Sequence, residues 1–421
     1  MVDFRMSELL KLSGPVPKRG EVRVFYGLDP KFAAVAVVGL GDECVSYNEV
    51  EELDEWKETI RHGCGVGVRT LQDLYMRTIF VESFSHAESA AEGSAMAAWV
   101  YQELKNESNQ KIIPRLELYE DCDFTGWQIG LQKAAGQNLA RQFSEMPANL
   151  LTPIGFAQAA VDVLCKAGVS VEVKVRNWAK IMKLEAFLAS ARGSCEPPIF
   201  LETCYFGCDP DVAPVCLIGK GVTFDSGGIC LKNCCEMEHM KGAMSGAAIV
   251  IAVCRANMPG TCAMKPGDVI RAHNGKTILV EHTDFDGRVA LADALSYSTI
   301  YNPKVVLTIG TVTRDLVELL GAAATGAFSN SDPLYEQMHI AGMHTGDRIW
   351  RLPLWQHYTA TAAFLNEFVP MTDWIHLDTS SVDRSDGHTW SYLREGMSGR
   401  PTRTVIEFMA QFACKHLQAE K

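Results

Sequence analysis

The strongest constraint in this sequence is a change in its hydrophobic pattern. A helix running from about Trp127 to Glu145 must stop at Met146-Pro147-Ala148-Asn149, because proline restricts the residue before it and cannot continue the hydrogen-bond ladder. Past that point the strand-like runs become continuously apolar: Val215 to Ile218, Val305 to Ile309 and Trp374 to Leu377. Helical patterns alternate with them, at Val289 to Ile300 and Thr404 to Leu417. Continuously apolar strands are covered on both faces. The alternation predicts an α/β domain with a central sheet flanked by helices, whose sites gather at the C-terminal ends of strands. Upstream, Val22 to Tyr26 and Ala34 to Val38 read as short strands. Ala87 to Leu104 reads as a helix with Ala87, Ala91, Ala95, Ala98 and Trp99 on one side. The fold class is therefore α/β in two domains: a smaller N-terminal α/β domain over 1–123 and a larger one over 124–421, entered by a linking helix.

Charge and composition exclude several function classes. The 421 residues carry 39 basic and 51 acidic side chains, a formal charge of −12. Such a chain is a poor non-specific partner for nucleic acid or an anionic membrane. Phe32 to Leu40 and Ala247 to Cys254 are the most apolar runs, and neither reaches the roughly 18 residues of a membrane span. The opening MVDFRMSELL has an early acid and no apolar core, so no secretory leader is expected and a cytoplasmic location is. Fourteen cysteines are scattered along the chain; Cys204-x3-Cys208 and Cys230-x3-Cys234-Cys235 lack paired zinc spacing. They read as reduced thiols, with a redox or soft-metal role for Cys230, Cys234 and Cys235 as the rival.

Two segments carry candidate chemistry. In Val215-Cys-Leu-Ile-Gly-Lys-Gly-Val-Thr-Phe-Asp-Ser-Gly-Gly228 a strand ends at Gly219, and Lys220 and Asp225 sit in a glycine-punctuated turn. Glycines there allow close backbone approach. The order is wrong for a phosphate-binding loop, and a tight connection with a surface lysine is the plainer reading. In Glu281-His-Thr-Asp284-Phe-Asp286-Gly-Arg288 the two aspartates lie two apart, on one side of an extended chain. They are half of a hard-cation site, or else an acid pair favouring the dipole of the helix that follows. If both strand ends face one cleft, two ions sharing these carboxylates could hold a hydroxide and polarise a carbonyl. Lys232 and Arg288 would then offset a developing oxyanion.

At this length of motif the sequence resembles the leucine aminopeptidase (cytosol aminopeptidase) family of two-metal exopeptidases. The matching stretches are GQNLARQFSEMPANLLTP (136–153), ASARGSCEPPIFLE (189–202), LIGKGVTFDSGGICLK (217–232), KPGDVIRAHNGKTILVEHTDFDGRVALADAL (265–295), ATGAFSN (324–330) and GMSGRPTRTVIEF (396–408). The resemblance implies that Lys220, Asp225, Asp284 and Asp286 are ligands to divalent metal, Mn or Zn. Lys232 would stabilise the tetrahedral intermediate, and Arg288 would hold a bicarbonate-like base. Met240 and Thr311 would border the pocket of a peptide substrate. It also implies a hexamer; a mixed oligomer with active paralogs is the alternative if this copy is inactive.

Four departures from the family's pattern point to weakened or lost activity. Ala243 in Met240-Lys-Gly-Ala-Met-Ser-Gly-Ala-Ala248 stands where the family has a ligand Asp. Asp286 stands for a bridging Glu, one methylene longer. Arg314 follows Thr311-Val-Thr313 where the family has Gly. Two shortenings fall near the site: helix-like Gly246 to Ala256 runs almost directly into Met258 to Gly267, and another lies near Tyr358-Thr359. His282, in place of a family Asn, and His376 read as packed or solvated residues. The expectation is an aminopeptidase-like chain with a damaged metal centre, and the alternative is an inactive paralog serving assembly.

Overall fold

The computed structural model describes residues 2–42, 45–209, 211–235, 237–250, 254–313, 315–355, 360–387 and 391–419. The N-terminal part carries an antiparallel hairpin, β1 (Val22–Asp29) and β2 (Phe32–Val38), and the helix α1 (Glu55–Asp73). A parallel pair follows, β3 (Thr78–Val81) with β4 (Arg115–Leu118), connected through α2 (Ala87–Ala98). Asp54 caps α1 by accepting from the Lys57 amide. Ile60, Val68, Ile79, Val81, Ala90 and Ala91 form this part's apolar core. The helix α2 is shorter than its sequence pattern, ending at Ala98 because Trp99 turns extended (φ −73°, ψ 137°).

The long helix α3 (Phe124–Glu145) joins the two parts. Trp127 near its start packs into the N-terminal core, whereas Ala140 and Phe143 near its end pack with Phe156 and Leu201 of the larger part. It ends at Glu145, and Met146 turns extended ahead of Pro147, as the proline requires.

The central sheet has five strands: β5 (Val215–Gly219), β6 (Val305–Gly310), β7 (Thr325–Ser329), β8 (Ile349–Arg351) and β9 (Asp373–Asp378). Their spatial order is β8-β7-β9-β6-β5; β6 runs parallel to β5 and β9, and β7 antiparallel to β9. Every residue of β6 is buried, which accounts for its unbroken apolar run. Its side chains divide by period two. Val305, Leu307 and Ile309 face a core with Met338 and Phe408, and Val306 faces a second core with Leu291, Leu295 and Trp374. The helices covering the sheet are α4 (Asp286–Tyr297), α5 (Asp332–Thr345) and α6 (Thr402–Ala419). The fold is the expected two-part α/β architecture.

One expectation fails. Residues 246–256 do not form one helix: the helix Ser245–Val250 is six residues long, and Cys254–Asn257 is a strand. That strand pairs in parallel with Gly221–Asp225, outside the central sheet. Val253 and its neighbours 251 and 252 lie outside the described residues, as do Arg314 and Tyr358-Thr359.

The two parts are joined by buried charge. Glu92 of α2 is fully buried, and its Oε2 accepts from Arg61 Nε (2.6 Å) and Arg403 Nη1 (2.7 Å). Arg403 also donates to Gln137 of α3, to the Tyr392 hydroxyl and to Asp347. One carboxylate thus holds an arginine from each part. Removing one partner of such a cluster leaves unpaired buried charge, which costs about 3–5 kcal/mol. Glu92→Gln is expected to lower the unfolding free energy by an amount of that order in chemical denaturation, whereas Glu49→Gln, in an exposed turn, leaves it unchanged.

Candidate active site

The site begins where β5 ends. Lys220 follows Gly219, and its backbone bridges two elements: its N–H donates to Ile309 O (2.9 Å), and its carbonyl accepts from Ala247 N (2.8 Å). Its side chain runs past Gly310 and Gly287. A Cβ added at Gly310 would lie 2.7 Å from Lys220 Cβ, and one at Gly287 would lie 2.5 Å from Lys220 Cε. Those two glycines make the channel for the lysine. It is 3% exposed, so the surface-lysine reading is overturned. Its Nζ donates to the Thr311 carbonyl (2.7 Å) and hydroxyl (3.1 Å). Burial pushes its pKa below the ordinary lysine value, against the pull of Asp225 and Asp286.

Asp225 closes the strand Gly221–Asp225 and is 6% exposed. Its Oδ1 accepts from Gly227 N (3.1 Å) and Asn257 Nδ2 (2.8 Å), and its Oδ2 lies 3.0 Å from Lys232 Nζ. Gly227 and Gly228 take positive φ, 87° and 70°, which turns the chain and brings Lys232 back onto Asp225. Burial raises the Asp225 pKa, but Lys220 and Lys232 outweigh it and hold the carboxyl below its usual range.

Asp284 and Asp286 do not sit on an extended chain. Asp284 lies in a 3-10 turn, Thr283–Phe285, and Asp286 opens α4. Neither residue caps the helix through its side chain. Asp284 Oδ1 accepts from Lys232 Nζ. Asp286 is fully buried, and its Oδ2 accepts from Arg255 Nη2 (2.7 Å). The same nitrogen donates to the Asp286 carbonyl (3.0 Å). Burial raises the Asp286 pKa, helped by Asp225 and opposed by Arg255 and Lys220.

Arg288 stacks over the Phe285 ring (4.1 Å to the centroid) and donates from Nη2 to Val312 O (3.3 Å). Lys220 and Arg288 therefore converge on the segment that leaves β6. The neighbouring strand β9 ends there too: Asp378 Oδ1 accepts from Val312 N (3.3 Å). Met240 is half-buried on a 3-10 helix, Met237–Met244, which packs against Gly221–Asp225 and also carries Ala243. So Lys220, Asp225, Lys232, Asp284, Asp286, Arg288 and Thr311 form one connected constellation, with Met240 on an adjoining element. His282 is exposed beside Phe285; His376 is fully buried, with Nδ1 at 2.9 Å from Thr308 Oγ1.

Sequence reasoning missed Arg255, Asn257 and Asp383. The first two stand two apart on a strand that reads as helix, so their shared direction was hidden. Asp383 has no motif around it. Burial and Asp378 push its carboxyl up to about 7, and a Cβ on Gly242 would sit 3.5 Å from its Oδ2.

The comparisons decide the family. Residues 138–361 match the catalytic domain of the cytosol aminopeptidase family, and residues 2–108 match that family's N-terminal domain. This chain belongs to the cytosol aminopeptidase family. The cytosol aminopeptidase of Rattus norvegicus is 40% identical over 458 residues, covering 98% of this chain and 88% of the rat protein. The Homo sapiens protein is 40% identical over 97% of this chain and 87% of its own. The 458-residue match exceeds the chain's 421 residues, so the rat protein has internal positions without a counterpart here. Among solved structures, the bottromycin maturation enzyme BotP in complex with Mn superposes with a TM-score of 0.86 at 28% identity, over 96% of each chain.

Within that family fold, the side chains as arranged do not fit a pair of divalent ions. Asp225 and Asp284 share Lys232, Asp286 holds Arg255, and Ala243 offers no donor atom. Among the described residues no group of three or more His, Cys, Asp or Glu is placed to hold a metal. Cys230, Cys234 and Cys235 are free thiols outside any such group.

Because Lys232 holds Asp225 ionised, its contribution to stability is complete above the ordinary Asp pKa of 3.8 and disappears as pH falls through Asp225's depressed value. Lys232→Met is expected to lower the unfolding free energy by about 2 kcal/mol at pH 7, with the deficit closing in acid. Urea denaturation across that range checks it.

Proposed function

We propose that this chain keeps the peptide cleft of the cytosol aminopeptidases but has weak or no aminopeptidase activity. The observation that carries the reading is the state of the acids. Each of Asp225, Asp284 and Asp286 is ion-paired with a cation of the chain itself, Lys232 serving the first two and Arg255 the third. The position at which the family resemblance expects a further ligand is Ala243. Its methyl group cannot ligate, and hard divalent ions need several oxygens. Lys232 is committed to Asp225 and Asp284, so it meets an oxyanion only by giving up both. Peptides with a free N-terminus are the substrate class the family implies, with Mn or Zn as the metal and the cytoplasm as the location. No helix among the described residues is long and apolar enough to cross a membrane.

A role in assembly, as a homo-oligomer or with active paralogs, is the second reading. It needs only the two-part frame, which Glu92 ties through Arg61 and Arg403 without drawing on the altered cleft.

Metal content of the purified chain, measured with hydrolysis of a leucyl amide in Mn²⁺ or Zn²⁺, tests the proposal. Less than one ion per chain is expected, with turnover at least about 10²-fold below the rat enzyme. Ala243→Asp is expected to raise both. Two ions per chain with turnover matching the rat enzyme would overturn it.

A further inference from the structure

We propose that Arg255 is a built-in cation that stands in for a divalent ion against Asp286 and makes this half of the cleft indifferent to metal. The inference rests on the reading of the site just given and deepens it. A missing carboxylate weakens a metal site, but a resident cation removes the reason for one.

The placement is specific. The strand Cys254–Asn257 pairs with Gly221–Asp225 in the register Gly221↔Cys254, Val222↔Arg255 and Asp225↔Asn257, with an irregularity between the last two pairs. Alternate residues of a strand share a face. Arg255 and Asn257 accordingly both reach acids of the cleft, Arg255 to Asp286 and Asn257 to Asp225. Arg255 is 1% exposed and its partner is fully buried. A charge so deeply desolvated persists only when paired.

The identity of the cation matters. A guanidinium keeps its proton at any pH the protein meets, unlike lysine or histidine, so the position stays charged. It satisfies a carboxylate through directed N–H bonds. Unlike a divalent ion, it has no open coordination position for a water and does not acidify one. It also repels any ion approaching Asp286. The pairing is incomplete: Asp286 Oδ1 and Arg255 Nε are buried without hydrogen-bond partners among the described residues. A free carboxylate oxygen therefore remains for an ion once the arginine is gone.

The test uses the full-length chain, with melting temperature read with and without Mn²⁺ and bound Mn²⁺ read by electron paramagnetic resonance. Wild type is expected to bind no Mn²⁺ and to melt at the same temperature in its presence. Arg255→Met leaves Asp286 unpaired, so it is expected to melt at least about 5 °C lower and to recover on binding Mn²⁺. Arg255→Met combined with Asp286→Asn removes both charges. It is expected to melt near wild type and to bind no Mn²⁺.

Wild type binding Mn²⁺ as tightly as Arg255→Met would overturn the proposal. So would Arg255→Met that melts like wild type and binds none. Failure of Arg255→Met to fold even with Mn²⁺, or failure of the double variant to fold, would overturn it as well. Peptide hydrolysis by the wild type at the rate of the rat enzyme would defeat the reading of the site. An inactive wild type whose Arg255→Met form gains no Mn²⁺ would defeat this inference alone.

Discussion

A carboxylate taken out of water must find a cation or a proton, and three of them share this cleft. Asp225, Asp284 and Asp286 lie within one packed region, and their neutralisation organises the residues around them. Lys232 is returned to Asp225 and Asp284 by a double-glycine turn. Arg255 arrives on a short strand alongside the one that Asp225 closes. Lys220 threads between Gly287 and Gly310, where any larger residue would collide with it. The local backbone choices follow from the need to bring cations to acids in a medium that hydrates neither.

The same economy of charge joins the two parts of the molecule. Glu92 holds arginines from both sides, and Lys133 of the linking helix reaches Glu88 on one side and Glu407 on the other. These contacts orient α3, and its far end packs against the helix Ser245–Val250, which begins just after Ala243. The cleft is therefore supported by a frame that is itself tied by buried ion pairs, independent of what the cleft binds.

Much of this was legible in the residues. The strand β6 was readable because a strand buried on both faces has no polar face to interrupt the apolar run, and shorter apolar runs marked β5 and β9 beside it. The end of α3 was readable because Pro147 has a single local consequence. The constellation itself was legible through long motifs around Lys220, Asp225, Asp284 and Asp286. Arg255 was not. Gly246 to Ala256 is short and apolar, and periodicity alone does not separate helix from strand in such a run. Read as helix, Arg255 is one more polar residue near a C-terminus. Read as strand, it shares a face with Asn257 and meets the acids. Lys220 was misplaced for a related reason, since its burial depends on two glycines that are distant in sequence.

The chemical consequence is that a chain can keep a family's fold and most of its motif while changing what neutralises the acids. Guanidinium and ammonium groups balance carboxylate charge as a metal does, but they offer no site at which a water is activated. Anomalous diffraction at the Mn edge, from crystals soaked in Mn²⁺, tests this most directly. The account predicts no anomalous peak among Asp225, Asp284 and Asp286, with Arg255 density against Asp286. A strong peak bridging Asp225 and Asp286, with Arg255 displaced, would contradict it.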